Sequence, residues 1–273
     1  MTTFVYALAE GIPDRLSELR LSIKHAEHFS EKDEGLYSIL CRAGCVLAVS
    51  SLEAFLKDVS DAIQSDLNAN VDAFSKMPKS MQREFARKVV HFDNVPEDDI
   101  QKRVTHLLKF LSVNTVTIDM AAFPYKENQN RNPSANVIDH SFKRYGINSV
   151  LHCLSGSRFE VVFGNDSAAD LLLRREIKRM RANLYHFPYK PLPSKFTVAD
   201  WTPVKGKDVP QSMWHTYLEN LLRRRHGVVH AETRDNPTSW EALRADAEKL
   251  EVLMSGVTFA VASLVGRDLG TAN

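Results

Sequence analysis

A chain of 273 residues that is 44% hydrophobic and 25% charged has the composition of a folded soluble protein, not of a disordered, collagenous or disulfide-stapled one. Lysine and arginine number 35 against 34 acidic residues, so the formal charge of +1 supplies no whole-molecule field toward nucleic acid or anionic lipid. Contact with RNA or DNA must use a local patch.

The start, MTTFVYALAEGIPDRLSELR, lacks the basic start, unbroken apolar stretch and small-residue cleavage site of a secretory signal. No later window approaches the roughly 20 uncharged residues of a membrane span, so a soluble, unexported, cytoplasmic protein with no membrane partner is expected. Leu8, Ile12, Leu16, Leu19 and Ile23 recur at helical steps and predict an amphipathic helix between Phe4 and Phe29, interrupted near Gly11 and Pro13. A longer pattern, about residues 35–66, has an apolar stripe wide enough to require burial on more than one side. Within it Cys41 and Cys45 are one helical turn apart. With Cys153 they are too few and oddly numbered for an extracellular disulfide framework, and helical packing explains the pair better than metal binding.

Proline-opened helical patterns follow at Pro78–Phe92 and Pro96–Leu111. Residues 124–135 are polar and asparagine-rich, the mark of an exposed connection, and precede a short helix with Val137, Ile138, Phe142 and Tyr145 that stops at Gly146. RFEVVF, Arg158–Phe163, reads as a short strand or an extended loop. Asp166 or Ser167 caps a helix through about Met180. Five prolines between Phe187 and Pro210 exclude a long helix there and suggest an ordered surface excursion. Two helices close the chain, near 211–231 and 238–267. The second is announced by the capping-box spacing Thr238-Ser239-Trp240-Glu241. The expected architecture is an all-α, up-and-down bundle of one domain, residues 1–273, with 78–210 as an insertion or extension.

The segment Leu221–Thr233, LLRRRHGVVHAET, holds the densest chemistry. Arg223, Arg224 and Arg225 offer planar forks suited to phosphate oxygens. His226 and His230 are four residues apart, about 40° around a helix, so both can face one cleft and move protons on a phosphodiester. Arg225 and His230 stand about 140° and roughly 7.5 Å apart and do not converge within one helix. Two copies of the helix facing each other across a twofold axis would pool the groups. The same cluster also fits a solvated basic face at a helix end, where the dipole favours cations.

Arg225-His226-Gly227-Val228-Val229-His230 resembles the HEPN superfamily signature: arginine, a polar residue, three variable residues and histidine on a late helix. Ser50-Ser51-Leu52-Glu53-Ala54-Phe55-Leu56-Lys57-Asp58 and the stretch from Asn132-Pro133-Ser134 to Gly146-Ile147 are similar to further segments of the RiboL-PSP-HEPN type or a close bacterial relative. The resemblance covers about residues 35–265, with 185–210 outside it. It implies a homodimeric endoribonuclease needing neither metal nor other cofactor, acting on an RNA substrate in a toxin–antitoxin or phage-defence setting, with an antitoxin or defence protein as possible partner. Arg225 and His230 would be its catalytic pair and His226 the polar second position. Glu53 would pair with Arg225 or orient His230; a half-exposed glutamate at the stripe's edge is the alternative.

Nine basic residues against four acidic ones between Lys143 and Lys190, Arg174, Arg175 and Arg179 among them, could hold single-stranded RNA beside Tyr185, Phe187 and Tyr189, or could be ordinary solvated helix faces. GxxxxGK[ST], GxGxxG, HExxH and GxSxG are all missing, which removes the usual entry points to nucleotide hydrolases, zinc proteases and serine hydrolases. A non-catalytic helical module binding RNA, nucleotide or a partner remains the competing expectation.

Overall fold

Hydrophobic period decides the architecture, and the computed structural model resolves it into helices. It describes residues 2–91, 95–114, 116, 132–164, 166–196, 201–202, 211–230 and 238–270. These are 80% helical, with no strand among them. The pattern between Phe4 and Phe29 is two helices, α1 (Phe4–Arg15) and α2 (Ser17–Phe29). Pro13 has no N–H to bond backward, and the chain restarts at the fully buried Leu16 rather than at Gly11. The Pro13 carbonyl accepts from the Arg20 guanidinium at 2.9 Å.

The wide stripe becomes α3 (Glu34–Asn70), 37 residues capped by the Asp33 carboxylate on the Leu36 N–H. At about 1.5 Å per residue it is about 55 Å long, the longest helix among the described residues. Near its far end the buried Asp66 accepts from the backbone N–H groups of Phe4 and Val5, at 2.8 and 3.0 Å, and from the Tyr189 hydroxyl at 2.8 Å. One carboxylate thereby satisfies the start of α1 and anchors the proline-rich excursion. That excursion also buries Phe196 completely, so it is pinned to the core where it is described; residues 197–200 and 203–210 lie outside the described set. So do residues 124–131 of the expected polar connection.

α4 (Lys79–Val90) and α5 (Glu97–Val113) pack on each other around Ala86, Ile100 and Val104. Next come α6 (Ala135–Ser141), α7 (Val150–Leu154) and α8 (Ser167–Met180). Gly146 follows a 3-10 turn at φ 78°, and a Cβ there would lie 2.3 Å from that of Ser80, so glycine is required on both counts. The Arg158–Phe163 segment is neither strand nor extended loop but a 3-10 helix. No neighbouring strand is available among the described residues to pair its backbone, and the three-residue repeat buries both Phe159 and Val162.

The closing pair is α9 (Met213–Val229) and α10 (Trp240–Gly270). The α10 cap falls one residue after the expected Thr238: Ser239 Oγ accepts from the Ala242 N–H at 3.3 Å. α3 and α10 approach closely at Gly44, where a Cβ would meet Leu243 Cδ1 at 2.7 Å. Both helices are long and apolar enough by length and composition to cross a membrane, yet 83% of the apolar window of α10 and 44% of that of α3 are buried against the rest of the chain. A hydrophobic cluster runs from Val5 through the middle of α3 to Val265, and α9 lies on it, buried over its first half and only half-buried or exposed over its last two turns.

Candidate active site at the carboxyl end of α9

The local sequence explains how α9 divides. Ser212 and His215 form a reciprocal capping box, and Trp214, Tyr217, Leu218 and Leu221 are buried. After Leu221 the buried stripe ends, and side chains from Arg223 onward are exposed or half-buried.

Three consecutive arginines point in three directions, as about 100° per residue requires. Arg223 is exposed and donates to Asn220 Oδ1 at 2.7 Å. Arg224 turns inward, donating to Thr238 Oγ1 at 3.1 Å and pairing with Asp246 of α10 at 2.6 Å. Burial pushes the Asp246 carboxyl up from its ordinary range, against the opposing pull of Arg224. Arg225 is half-buried, and its Nη1 donates to Asn132 Oδ1 at 3.1 Å.

His226 and His230 are both exposed, their rings 4.1 Å apart between centroids and inclined by 45°. His230 caps the helix, its N–H donating to the His226 carbonyl at 3.0 Å. Two imidazoles and one guanidinium thus occupy the open end of α9. The pair can hold one proton between a base and an acid, and the guanidinium can face an anion.

Glu53 is half-buried on α3, beside the buried Leu52 and Phe55, and makes no hydrogen bond or ion pair with Arg225 or His230 among the described residues. The neighbour that does hold Arg225 is Asn132. Asn132-Pro133-Ser134 stands out in the sequence only as the start of a segment similar to the family's mid-chain element; its distance in sequence from α9 conceals the contact. The same segment starts α6, Ser134 Oγ accepting from the Val137 N–H at 3.3 Å.

The basic surplus between Lys143 and Lys190 is divided by the fold. Arg174 is engaged with Asp170 at 3.2 Å and Glu251 at 2.9 Å, and Arg158 with Glu176 at 3.1 Å. Lys195 joins Glu176 and, with Arg158, holds that carboxyl below its ordinary range. Arg175, Lys178 and Arg179 lie on the exposed side of α8 without an ion pair among the described residues. The Cys41–Cys45 pair is buried, and burial raises the Cys45 thiol to about 11, the opposite of what a thiolate ligand requires.

The family model RiboL-PSP-HEPN matches residues 12–257, spanning α1 to α10 and including Arg225, His226 and His230. No curated protein and no solved structure matches the chain.

Proposed function

The chain belongs to the RiboL-PSP-HEPN family, and from that membership, which points to an RNase-type or RNA-related function, we propose that it is a metal-independent endoribonuclease with its active centre at the carboxyl end of α9. The observation that carries the reading is the exposed His226–His230 pair, 4.1 Å between rings, at the end of the helix whose Arg225 guanidinium donates to Asn132.

In the proposed reaction the RNA's own 2′-oxygen attacks the adjacent phosphorus. A neutral imidazole takes the 2′-hydroxyl proton, the bond from phosphorus to the 5′-oxygen breaks, and an imidazolium returns a proton to that oxygen. The products are a 2′,3′-cyclic phosphate and a 5′-hydroxyl. His230 carries the essential proton transfer and His226 supports it. Arg225 stabilises the added negative charge on the phosphorane oxygens. Imidazole is the side chain suited both to accept and to donate a proton in such a step without a metal.

Arg225 and His230 are separated around the helix, so the active unit is proposed as a twofold dimer in which two α9 ends face each other and each phosphate meets groups from both chains. Exposed Arg223, with Arg175 and Arg179 of α8, supplies further phosphate contacts, which makes binding weaken as salt rises. The setting proposed is a toxin or phage-defence effector restrained by an antitoxin or defence protein.

Incubation of the protein with single-stranded and structured RNAs in EDTA tests the reaction. Cutting that leaves cyclic-phosphate ends and disappears in His230→Ala is expected. Cutting that requires a divalent ion at the scissile phosphate contradicts the mechanism. Equal RNA binding by wild type and His230→Ala, with neither cutting, would favour a non-catalytic RNA-binding module instead.

A further inference from the structure

Three groups that carry no short motif in the sequence meet at the opposite end of α9. Asp139 of α6, His152 of α7 and His215 of α9 each offer a ligand atom, and these atoms all lie within 4.8 Å of one another. We propose that they bind zinc, which staples α6 and α7 to the first turn of α9. The inference is independent of the nuclease reading: His215 lies ten residues before Arg225, about 15 Å away along the helix.

Distance is the first argument. His215 Nε2 and Asp139 Oδ2 stand 3.6 Å apart, too far for a hydrogen bond. Two ligands on a tetrahedral zinc ion, each about 2.0–2.1 Å from it, are separated by about 3.4 Å. The His215–Asp139 pair already stands near that separation, and the other ligand-atom separations, all within 4.8 Å, close to it by side-chain movements of about 1 Å.

The second argument is that each ligand is already held from behind. His215 Nδ1 lies 2.6 Å from Ser212 Oγ and accepts from the Ser212 N–H at 3.4 Å, with Nε2 facing Asp139; zinc on Nε2 would move the ring proton to Nδ1, where Ser212 Oγ accepts it in place of that long capping bond. Ser149 Oγ lies 2.7 Å from His152 Nδ1 and 2.6 Å from Asp139 Oδ2. The remaining oxygen of Asp139 accepts from the Leu151 N–H at 3.1 Å. Fixing the far nitrogen of a ligating imidazole, and a lone pair of a ligating carboxylate, is what outer-shell partners do in zinc sites. Trp201 stacks on His152, rings 4.2 Å apart and inclined by 16°, so one wall of the site is apolar.

Chemistry of the donors selects the ion. Two imidazole nitrogens and one carboxylate suit zinc or iron(II), whereas calcium and magnesium prefer all-oxygen sites; ligand atoms 3.6 Å apart match the wide angles of a tetrahedral zinc ion better than the right angles of octahedral iron(II). Three protein ligands leave a fourth position for water. The side chains of His215 and Asp139 are 11% and 14% exposed, enough for an ion to enter and too little for water alone to solvate the carboxylate fully.

The test uses the full chain, stripped with EDTA, returned to chelator-free buffer and titrated with zinc chloride against a chromophoric chelator. Bound metal is counted by mass spectrometry, and cobalt(II) loading reports the coordination geometry. One zinc per chain, tetrahedral cobalt bands and a zinc-dependent rise in Tm are expected. His152→Ala and His215→Ala should abolish binding, and Ser149→Ala should weaken it about 10–100-fold. If His215→Ala does not fold, Asp139→Asn and His152→Gln, at half-buried positions, carry the same test. A folded wild type that takes up no zinc, uptake unchanged in His152→Ala, or uptake lost in a His226→Ala/His230→Ala double variant would each overturn the staple. RNA cutting is scored separately on the zinc-free protein. Cutting without zinc uptake sinks only the staple, and zinc uptake without cutting sinks only the nuclease.

Discussion

Helix α9 and its carboxyl cap carry three histidines, and the two ends put them to opposite uses. His215, in the first turn, is buried, with its Nδ1 beside Ser212 Oγ and its Nε2 facing Asp139. His226, in the last turn, and His230, its cap, are exposed, their rings 4.1 Å apart. The difference arises from where the apolar stripe ends. Trp214 to Leu221 press the first half of the helix onto the core, whereas beyond Arg223 only Arg224 and Val228 turn back toward it and both histidines are exposed. A buried, multiply bonded imidazole is fixed and suits ligation or support; an exposed one can exchange protons with a substrate.

The sharpest way to break that comparison is to remove one histidine from each end. His230→Ala should lower RNA cleavage by about 10²- to 10⁴-fold, the usual worth of a positioned general acid or base. Its unfolding free energy should stay within about 0.5 kcal/mol of wild type, as for a surface substitution. In metal-free buffer His215→Ala should do the reverse, costing about 1–3 kcal/mol of stability by stranding buried polar groups. Urea unfolding and single-turnover cleavage of both variants decide the matter, and equal effects on both readouts would erase the distinction between the ends. His226→Ala should impair cleavage less than His230→Ala; equal losses would make the two an obligate acid–base pair.

The arginines sharpen it next. Arg224 forms a largely buried ion pair with Asp246, whose side chain is 6% exposed, while Arg223 is on the surface. Arg224→Ala should therefore cost about 3 kcal/mol, because it leaves a buried carboxylate without its partner. Arg223→Ala should change stability by less than about 0.5 kcal/mol and act on RNA affinity and its salt dependence instead. Sequence reading assigned both to RNA, and denaturant midpoints beside salt-dependent RNA binding separate the two roles.

Why some of this was legible in the sequence follows from the range of the signals. Helical periodicity is local, so the ranges expected for α3, α9 and α10 lie within a few residues of those observed. The Arg225-to-His230 spacing is equally local, and it resembled the family that the chain belongs to. RFEVVF misled because aromatic and β-branched content speaks for a strand only where another strand can pair with it. Asn132 beside Arg225, Asp246 beside Arg224, and the Asp139, His152 and His215 cluster join residues distant in sequence. No spacing rule within one chain exposes them. Direction around a helix was calculable for Arg225 and His230, yet the inward turn of Arg224 depended on where α10 would lie.

A dimer makes the comparison intermolecular at one end only. Mixing inactive Arg225→Ala with inactive His230→Ala chains should restore activity if the site is shared, because each heterodimer keeps one site with both groups intact. With random exchange half the dimers are mixed and half their sites work, so about one quarter of wild-type activity should return. No recovery after verified subunit exchange, or a fully active monomer in sedimentation, would leave each chain to build its own site.

The smallest expected effect is the pH dependence of the Arg224–Asp246 contact. Burial raises the Asp246 carboxyl above its ordinary value of 3.8, and Arg224 only partly offsets that. The folded chain therefore holds this proton more tightly than the unfolded one does. The corresponding contribution to stability is complete below the ordinary carboxylate range and is lost as pH rises through the elevated folded value. Asp246→Asn keeps the shape of the side chain but does not titrate. The stability of wild type minus that of Asp246→Asn should thus decline as pH rises from below 3.8 and level off once Asp246 is ionised in the fold. Chemical denaturation of both proteins across that range measures the difference. A difference that grows with pH would mean that Arg224 overcomes desolvation, and the inward-facing arginine would then stabilise an ionised carboxylate outright.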